Sequence, residues 1–331
     1  GASPQGGGTS GRPPQQAQPA PGTAPRPGGT GGQAPGQAQA PANIPVPSDA
    51  NVLSREGDRV IIKRGNEVTI RKDETQRLRQ QARDVNTRRL DNGLSEFTIV
   101  RPDGTRVVTV RNDQGDILRR VRVLPGGQEV VLIDSLRNGR APNRGPVPNF
   151  AAKLPPLTVR IPRQEYIVET RRASPADIRQ ALTAPPIEKV TETYTVDEVR
   201  QSERLRDMVR RVDVDTITFE TASADIGRDQ IASLAAIGKA LEDIINRDPR
   251  EVYLIEGHTD AVGSDLSNLA LSDRRAESVA YALSSNWQIP PENLVTQGYG
   301  EQYLKVPTEA AERENRRVTI RRITPLVQAQ Q

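Results

Sequence analysis

Long apolar stripes at helical spacing occur only near the carboxy end of this 331-residue chain, and they limit what it can fold into. Ile231, Leu234, Ile237, Leu241, Ile244 and Ile245 recur every three or four residues until Pro249 stops them. Leu271, Ala276, Val279, Ala280 and Leu283 repeat the pattern. Between the stripes, residues 252–255 are apolar on both faces, as expected of an inner strand covered by helices. Strand-like runs at 217–219, 294–296 and around Val318 and Ile320 complete the order β-α-β-α-β, with a further strand after a long polar loop. The class is α+β: a βαβαβ sandwich over 212–323, with one helical layer on one face of a mixed sheet.

The rest of the chain is built differently. Residues 1–47 are Gly, Pro, Gln and Ala with hardly a branched apolar side chain, so they are expected to form a disordered arm. Residues 48–141 read as a charged β-rich region, with strands near 60–63, 68–71, 97–100, 107–110, 121–124 and 130–133 separated by Gly, Pro and Asn turns. Leu78, Ala82 and Val85 suggest one short helix among them. So small an apolar supply implies that this region needs a partner surface. Residues 142–156 read as a linker. A small αβ spacer module follows at 157–211, with a strand near 166–169, a helix opened by Ser174, Pro175 and Asp177, and a second helix over 195–211. Residues 324–331 are expected to be a disordered tail. A chain that starts at Gly1, without Met or an apolar leader core, reads as a processed or truncated form.

Composition removes several chemistries. There is no cysteine and a single histidine, His258, so disulfides, thiolate nucleophiles and multi-histidine metal sites are excluded; no cofactor is implied. No run of 18 apolar residues suggests a membrane-spanning helix. Charge is divided: residues 52–211 hold 32 basic and 22 acidic groups, whereas 212–331 hold 12 and 19. The basic groups are interleaved with acids, and with aromatics at 3% there are few stacking platforms, so nucleic acid is not the expected partner. The doublets Arg119-Arg120 and Arg171-Arg172 read as solvated strand edges.

Two charges in the carboxy-terminal domain are oddly placed. Asp260 follows the buried strand directly after Gly257, and Arg275 lies four residues from both Leu271 and Val279, on the apolar side of its helix. Asp273, Arg274 and Glu277 can face solvent. An Arg facing the sheet needs an anionic partner, because burying an unpaired charge is costly. Either Asp260 closes an ion pair with it, or the two are prongs of a pocket: a guanidinium for a ligand carboxylate and a carboxylate for a ligand ammonium. His258 reads as a turn residue with a structural hydrogen bond, and Tyr299 as either strand-end packing or pocket wall.

The stretch Gly257-His258-Thr259-Asp260-Ala261-Val262-Gly263, with Asn268, Leu271-Ser272, Arg275-Ala276 and Val279, resembles the signature of the OmpA-like peptidoglycan-binding family. Gly298-Tyr299-Gly300-Glu301 and Asn315-Arg316-Arg317-Val318 fit the same family. The resemblance implies non-covalent binding of the diaminopimelate-containing stem peptide. Asp260 would hold the amino group and Arg275 the carboxylate, with Thr259, Asn268 and Arg316 supporting the pocket. It further implies a non-enzymatic protein of the periplasm, associated with cell wall or outer membrane. Residues 48–211 would be free to meet an outer-membrane or other envelope protein. The alternative is a periplasmic protein–protein scaffold that keeps the fold without wall binding. A wall-modifying enzyme is a third class, but no carboxylate pair set across a cleft supports it.

Overall fold

The computed structural model describes residues 44–136, 154–220 and 222–328. Most of the low-complexity arm and of the linker therefore lies outside the described residues. The described chain begins with a three-stranded antiparallel sheet of β1 (Asn51–Glu56), β2 (Arg59–Arg64) and β3 (Glu67–Lys72). Two-residue turns join the strands, with Gly57 and Gly65 at φ near +60° (62° and 61°), the backbone that such turns require. After α1 (Thr75–Arg79), a five-stranded meander runs through β4 (Asp84–Arg89), β5 (Ser95–Val100), β6 (Arg106–Arg111), β7 (Ile117–Val123) and β8 (Glu129–Asp134). The expected short helix stops at Arg79. Val85 belongs instead to β4, whose pairing with β5 overrides a thin helical stripe.

The third sheet carries the candidate site residues. Its elements follow as α2 (Arg163–Tyr166), β9 (Ile167–Glu169), α3 (Pro175–Thr183), α4 (Val196–Gln201), α5 (Glu203–Arg206) and β10 (Arg211–Val214). Then come α6 (Arg228–Ile231), α7 (Ala235–Arg247), β11 (Tyr253–Gly257), α8 (Asp265–Asn286), β12 (Leu294–Gly298), β13 (Val318–Arg322) and α9 (Thr324–Val327). Strand order is β12-β11-β13-β10-β9; β13 is antiparallel to both neighbours, and the other two pairs are parallel.

Four expectations need correction. The strand expected at 217–219 lies instead at Arg211–Val214, as β10; Ile217 is buried from a loop. The helix expected over 195–211 is broken at Ser202, whose hydroxyl accepts from the Leu205 amide and starts a new turn. Residues 157–211 are no separate spacer, because β9 extends the sheet and Ile178 and Leu182 of α3, opened by its Ser174–Asp177 capping box, enter its core. Residues 324–328 are not a loose tail, since Leu326 and Val327 are fully buried.

Alternation along the strands gives the sheet two apolar faces. Val212, Val214, Tyr253, Ile255, Val318 and Ile320 pack against α3, α7 and α8. Val252, Leu254, Val295 and Ile323 point the other way and meet Val196, Val199 and Leu205 of α4 and α5, together with Leu132 and Ile133 of β8. Helices α3, α7 and α8 thus cover one face. The second face is closed by α4 and α5 together with β8, and this face is the partner surface that the poor apolar supply of the amino-terminal region called for. The three-stranded sheet is fastened in the same way: Ile61 and Ile70 pack on Leu269 and Ala270 of α8.

Candidate functional site

The site is built where β11 ends against α8. A Cβ at Gly298 would fall 2.6 Å from the Asp273 Cα, and one at Gly257 would collide with the Ser272 carbonyl, so glycine at both positions lets helix and strand ends touch. Past Gly257 the chain is tied on both sides: His258 N–H donates to Arg317 O and Thr259 N–H to Gly300 O, each at 2.9 Å. Asn268 Nδ2 then fastens the loop to the helix, donating to Asp260 O (3.3 Å), Val262 O (3.2 Å) and Glu301 Oε2 (2.7 Å). Asp260 is thereby fixed and nearly buried.

The ion pair that the sequence left open between Asp260 and Arg275 does not form. Asp260 Oδ2 instead accepts from Arg316 Nη1 at 2.6 Å, and no protein donor among the described residues reaches Oδ1. Arg275 is buried yet has no carboxylate at ion-pair distance among the described residues. Its Nε donates to Ser223 O (3.0 Å), its Nη2 donates to Glu220 O (3.4 Å), and its guanidinium lies 4.9 Å from the centre of the Phe219 ring. Nη1 makes no hydrogen bond among the described residues. Burial, reinforced by neighbouring Arg316 and opposed by Asp260, lowers the guanidinium to about 10; it remains charged at neutral pH. The loop presenting those carbonyls is strained: Ala222, at φ 56°, is the one non-glycine residue with positive φ among the described residues.

The structure therefore gathers the sequence candidates in one place. Asp260 and Arg316 are paired, Asn268 holds the Asp260 backbone, and Arg275 is close enough to feel both charges. Thr259 adjoins them with a buried hydroxyl that has no hydrogen-bond partner among the described residues. Sequence reasoning missed Phe219, Glu220 and Ser223, the last two of which contribute backbone carbonyls that no residue type advertises.

Below the site, His258 is buried against Tyr299 (ring centres 5.7 Å apart) and 3.7 Å from Glu256, with no hydrogen bond to either ring nitrogen among the described residues. The structural hydrogen bond expected of it comes from its backbone. Burial and Arg317 push the imidazole down to about 3, so it stays neutral. Tyr299 is core rather than pocket wall: its hydroxyl donates to Arg200 O (2.8 Å), and Arg206 stacks 4.2 Å from its ring centre.

The opposite flank of α8 overturns another expectation. Asp273 and Glu277 do not face solvent. Asp273, 1% exposed, accepts from Arg59 Nε and Lys72 Nζ, both at 2.8 Å. Glu277 lies 2.9 Å from Lys72 and 3.3 Å from Arg77. Burial alone would raise both carboxyls, but Lys72 with Arg59 or Arg77 holds each below its ordinary range. Arg120 is likewise no solvated edge: it is buried with Glu74 3.6 Å away, while Arg122 reaches Glu292 at 3.0 Å; its doublet partner Arg119 is half-buried. The charge division along the sequence is thus an internal complementarity between basic sheets and acidic domain.

Among the described residues, no group of three or more His, Asp or Glu side chains is placed to hold a metal ion, and no helix is long and apolar enough to cross a membrane.

Residues 218–317 match the OmpA family. YfiB of Escherichia coli (strain K12) is 44% identical over 73 residues, 22% of this chain and 46% of that protein. Outer membrane porin F of Pseudomonas aeruginosa is 32% identical over 112 residues, 33% of this chain and 31% of that protein. The chain therefore spans less than half the length of either relative. A crystal structure of the peptidoglycan-associated lipoprotein from Burkholderia pseudomallei superposes with a TM-score of 0.28 at 26% identity, covering 32% of this chain and 87% of that one. The chain carries an OmpA-like domain over residues 218–317.

Proposed function

Because residues 218–317 form an OmpA-like domain, we propose that this protein binds diaminopimelate-type peptidoglycan non-covalently through Asp260 and Arg275, and so anchors or spaces the envelope. One observation carries the reading: Arg275, buried on its helix, keeps a guanidinium edge free while Asp260 beside it keeps one carboxylate oxygen free. A ligand carboxylate would take the Arg275 edge, and a ligand ammonium would take Asp260 Oδ1. Diaminopimelate has both groups at its side-chain end, whereas lysine lacks the carboxylate and would leave Arg275 uncompensated. Thr259 and Asn268 support the pocket, and Arg316 orients Asp260. Each contact is modest, but the wall is a polymer, and many such contacts add through multivalency.

Co-sedimentation with purified sacculi tests this. The unchanged protein is expected to pellet with diaminopimelate-type wall and poorly with lysine-type wall; Arg275→Ala and Asp260→Ala are expected to remain in solution. A folded Arg275→Ala variant that still pellets contradicts the mechanism. The Arg316–Asp260 pair favours a second reading, a protein-binding scaffold in which that pair keeps the ligand out. On that reading no variant, and not the unchanged protein, pellets. Release of soluble wall fragments would reveal an enzyme, and none is expected.

A further inference from the structure

A cavity of about 630 Å³ opens at the free edge of the five-stranded sheet and shares no lining residue with the Asp260–Arg275 site. Its size falls in the range of pockets that hold small ligands or short peptide segments, roughly 300–1,000 Å³. Cations and carboxylates both line it, but they do not cancel locally. Lys305 Nζ lies 2.6 Å from Glu169 and 3.3 Å from Glu314, so that cation is spent within the protein. The Asp177 carboxylate is taken up by the Ser174 amide and hydroxyl in the α3 capping box. Arg163 and Arg210, and on the acidic side Glu165, make no ion pair among the described residues, and Arg210 Nε is buried with no hydrogen-bond partner among them. A guanidinium N–H removed from water without an acceptor marks an incomplete wall.

The backbone of β9 is incomplete on the same side. Thr170 N–H donates to Asp213 O at 3.0 Å, and Val168 is in register with Val212. Strand alternation therefore turns residues 168 and 170 toward β10 and residues 167 and 169 outward. Of the outward groups, the Ile167 N–H is used by Arg163 O and the Glu169 C=O by the amides of Arg172 and Ala173. The Ile167 C=O and the Glu169 N–H are left as an acceptor and a donor on an unpaired sheet edge among the described residues. These are the groups an added strand takes up.

We propose that the β9 edge is a docking site for an extended acidic segment of a partner protein. Its backbone pairs with Ile167 and Glu169, and its carboxylate is held by Arg210 and Arg163. Backbone pairing supplies the strand geometry, and the two free guanidinium groups, set against the single free carboxylate of the described lining, that of Glu165, select acid over base.

The full chain is titrated into a fluorescein-labelled, capped pentapeptide of alternating valine and glutamate, read by fluorescence anisotropy. A lysine-for-glutamate peptide and a backbone N-methylated copy serve as controls. The expected result is saturable binding of the acidic peptide, weakened about tenfold or more by Arg210→Ala, Arg163→Ala or N-methylation, and unchanged by Asp260→Ala. Arg163 is exposed, so its variant keeps the test valid even if Arg210→Ala fails to fold. No binding of the acidic peptide overturns the proposal. So does equal binding of the lysine or N-methylated peptide, or retention of full affinity by both arginine variants.

Discussion

Helix α8 buries charge on two opposite flanks and treats it differently on each. On the Asp273–Glu277 flank every carboxylate meets a cation from the amino-terminal region, and apolar contacts around Ile61 and Leu269 close the seam. On the Arg275 flank the protein supplies two carbonyls, an aromatic ring and a neighbouring acid already shared with Arg316. Burial of a charge is therefore no mark of a binding site by itself. What separates a structural pair from a ligand-facing group is whether the chain completes the compensation.

The largest expected effect breaks the closed flank. Asp273→Ala removes the buried carboxylate that Arg59 and Lys72 share, leaving Arg59 only Asp58 and Lys72 only Glu277, and removing one partner of a buried pair costs about 3–5 kcal/mol, measured as a fall in the urea midpoint. A loss below about 1 kcal/mol would mean that the seam is solvated, and the contrast between flanks would disappear. Arg275→Ala is expected to do the reverse: wall binding falls about tenfold or more, while the urea midpoint falls less than in Asp273→Ala.

Acid sharpens the same contrast. Asp273 and Glu277 are held below the ordinary carboxylate range, so their contribution is fully present above an unfolded pKa of about 4 and is lost as pH falls through the lower folded values. His258 acts earlier. Its folded pKa of about 3 lies below the unfolded 6.5, so the unfolded chain takes up a proton first. Stability should fall between pH 6.5 and 3 with a slope of at most about 1.4 kcal/mol per pH unit from this group. Urea titrations across pH should show that slope flattened in His258→Gln. An unchanged slope would place the imidazole in contact with water. The smallest effect belongs to the strained loop. Ala222→Gly should raise stability by about 0.5–1 kcal/mol by relieving the positive φ, and a loss would show that the alanine methyl is needed there.

Periodicity made α7 and α8 legible in the sequence, and the fully apolar 252–255 run made β11 so, because long stripes leave few alternatives. The position of β10 was not legible: Arg211–Val214 carries two charges, and only pairing with β13 and β9 makes it a strand. Asp260 and Arg275 stood out because each breaks an apolar pattern, and spacing placed them near each other. Their non-pairing was hidden, because Arg316 arrives from a distant turn and the partners of Arg275 are backbone carbonyls. Asp273 and Glu277 were misread for a related reason. A charged residue on the outward flank of a helix looks solvated until a second region of the chain is known to cover it.

The most direct test of the account is a ¹⁵N–¹H spectrum of the arginine side chains during titration with free diaminopimelate, with lysine as the control. The Arg275 resonance is expected to shift saturably with diaminopimelate and not with lysine, while Arg59, closed against Asp273, stays where it is. An unmoved Arg275, or equal shifts of Arg275 and Arg59, would contradict the assignment of one open and one closed flank.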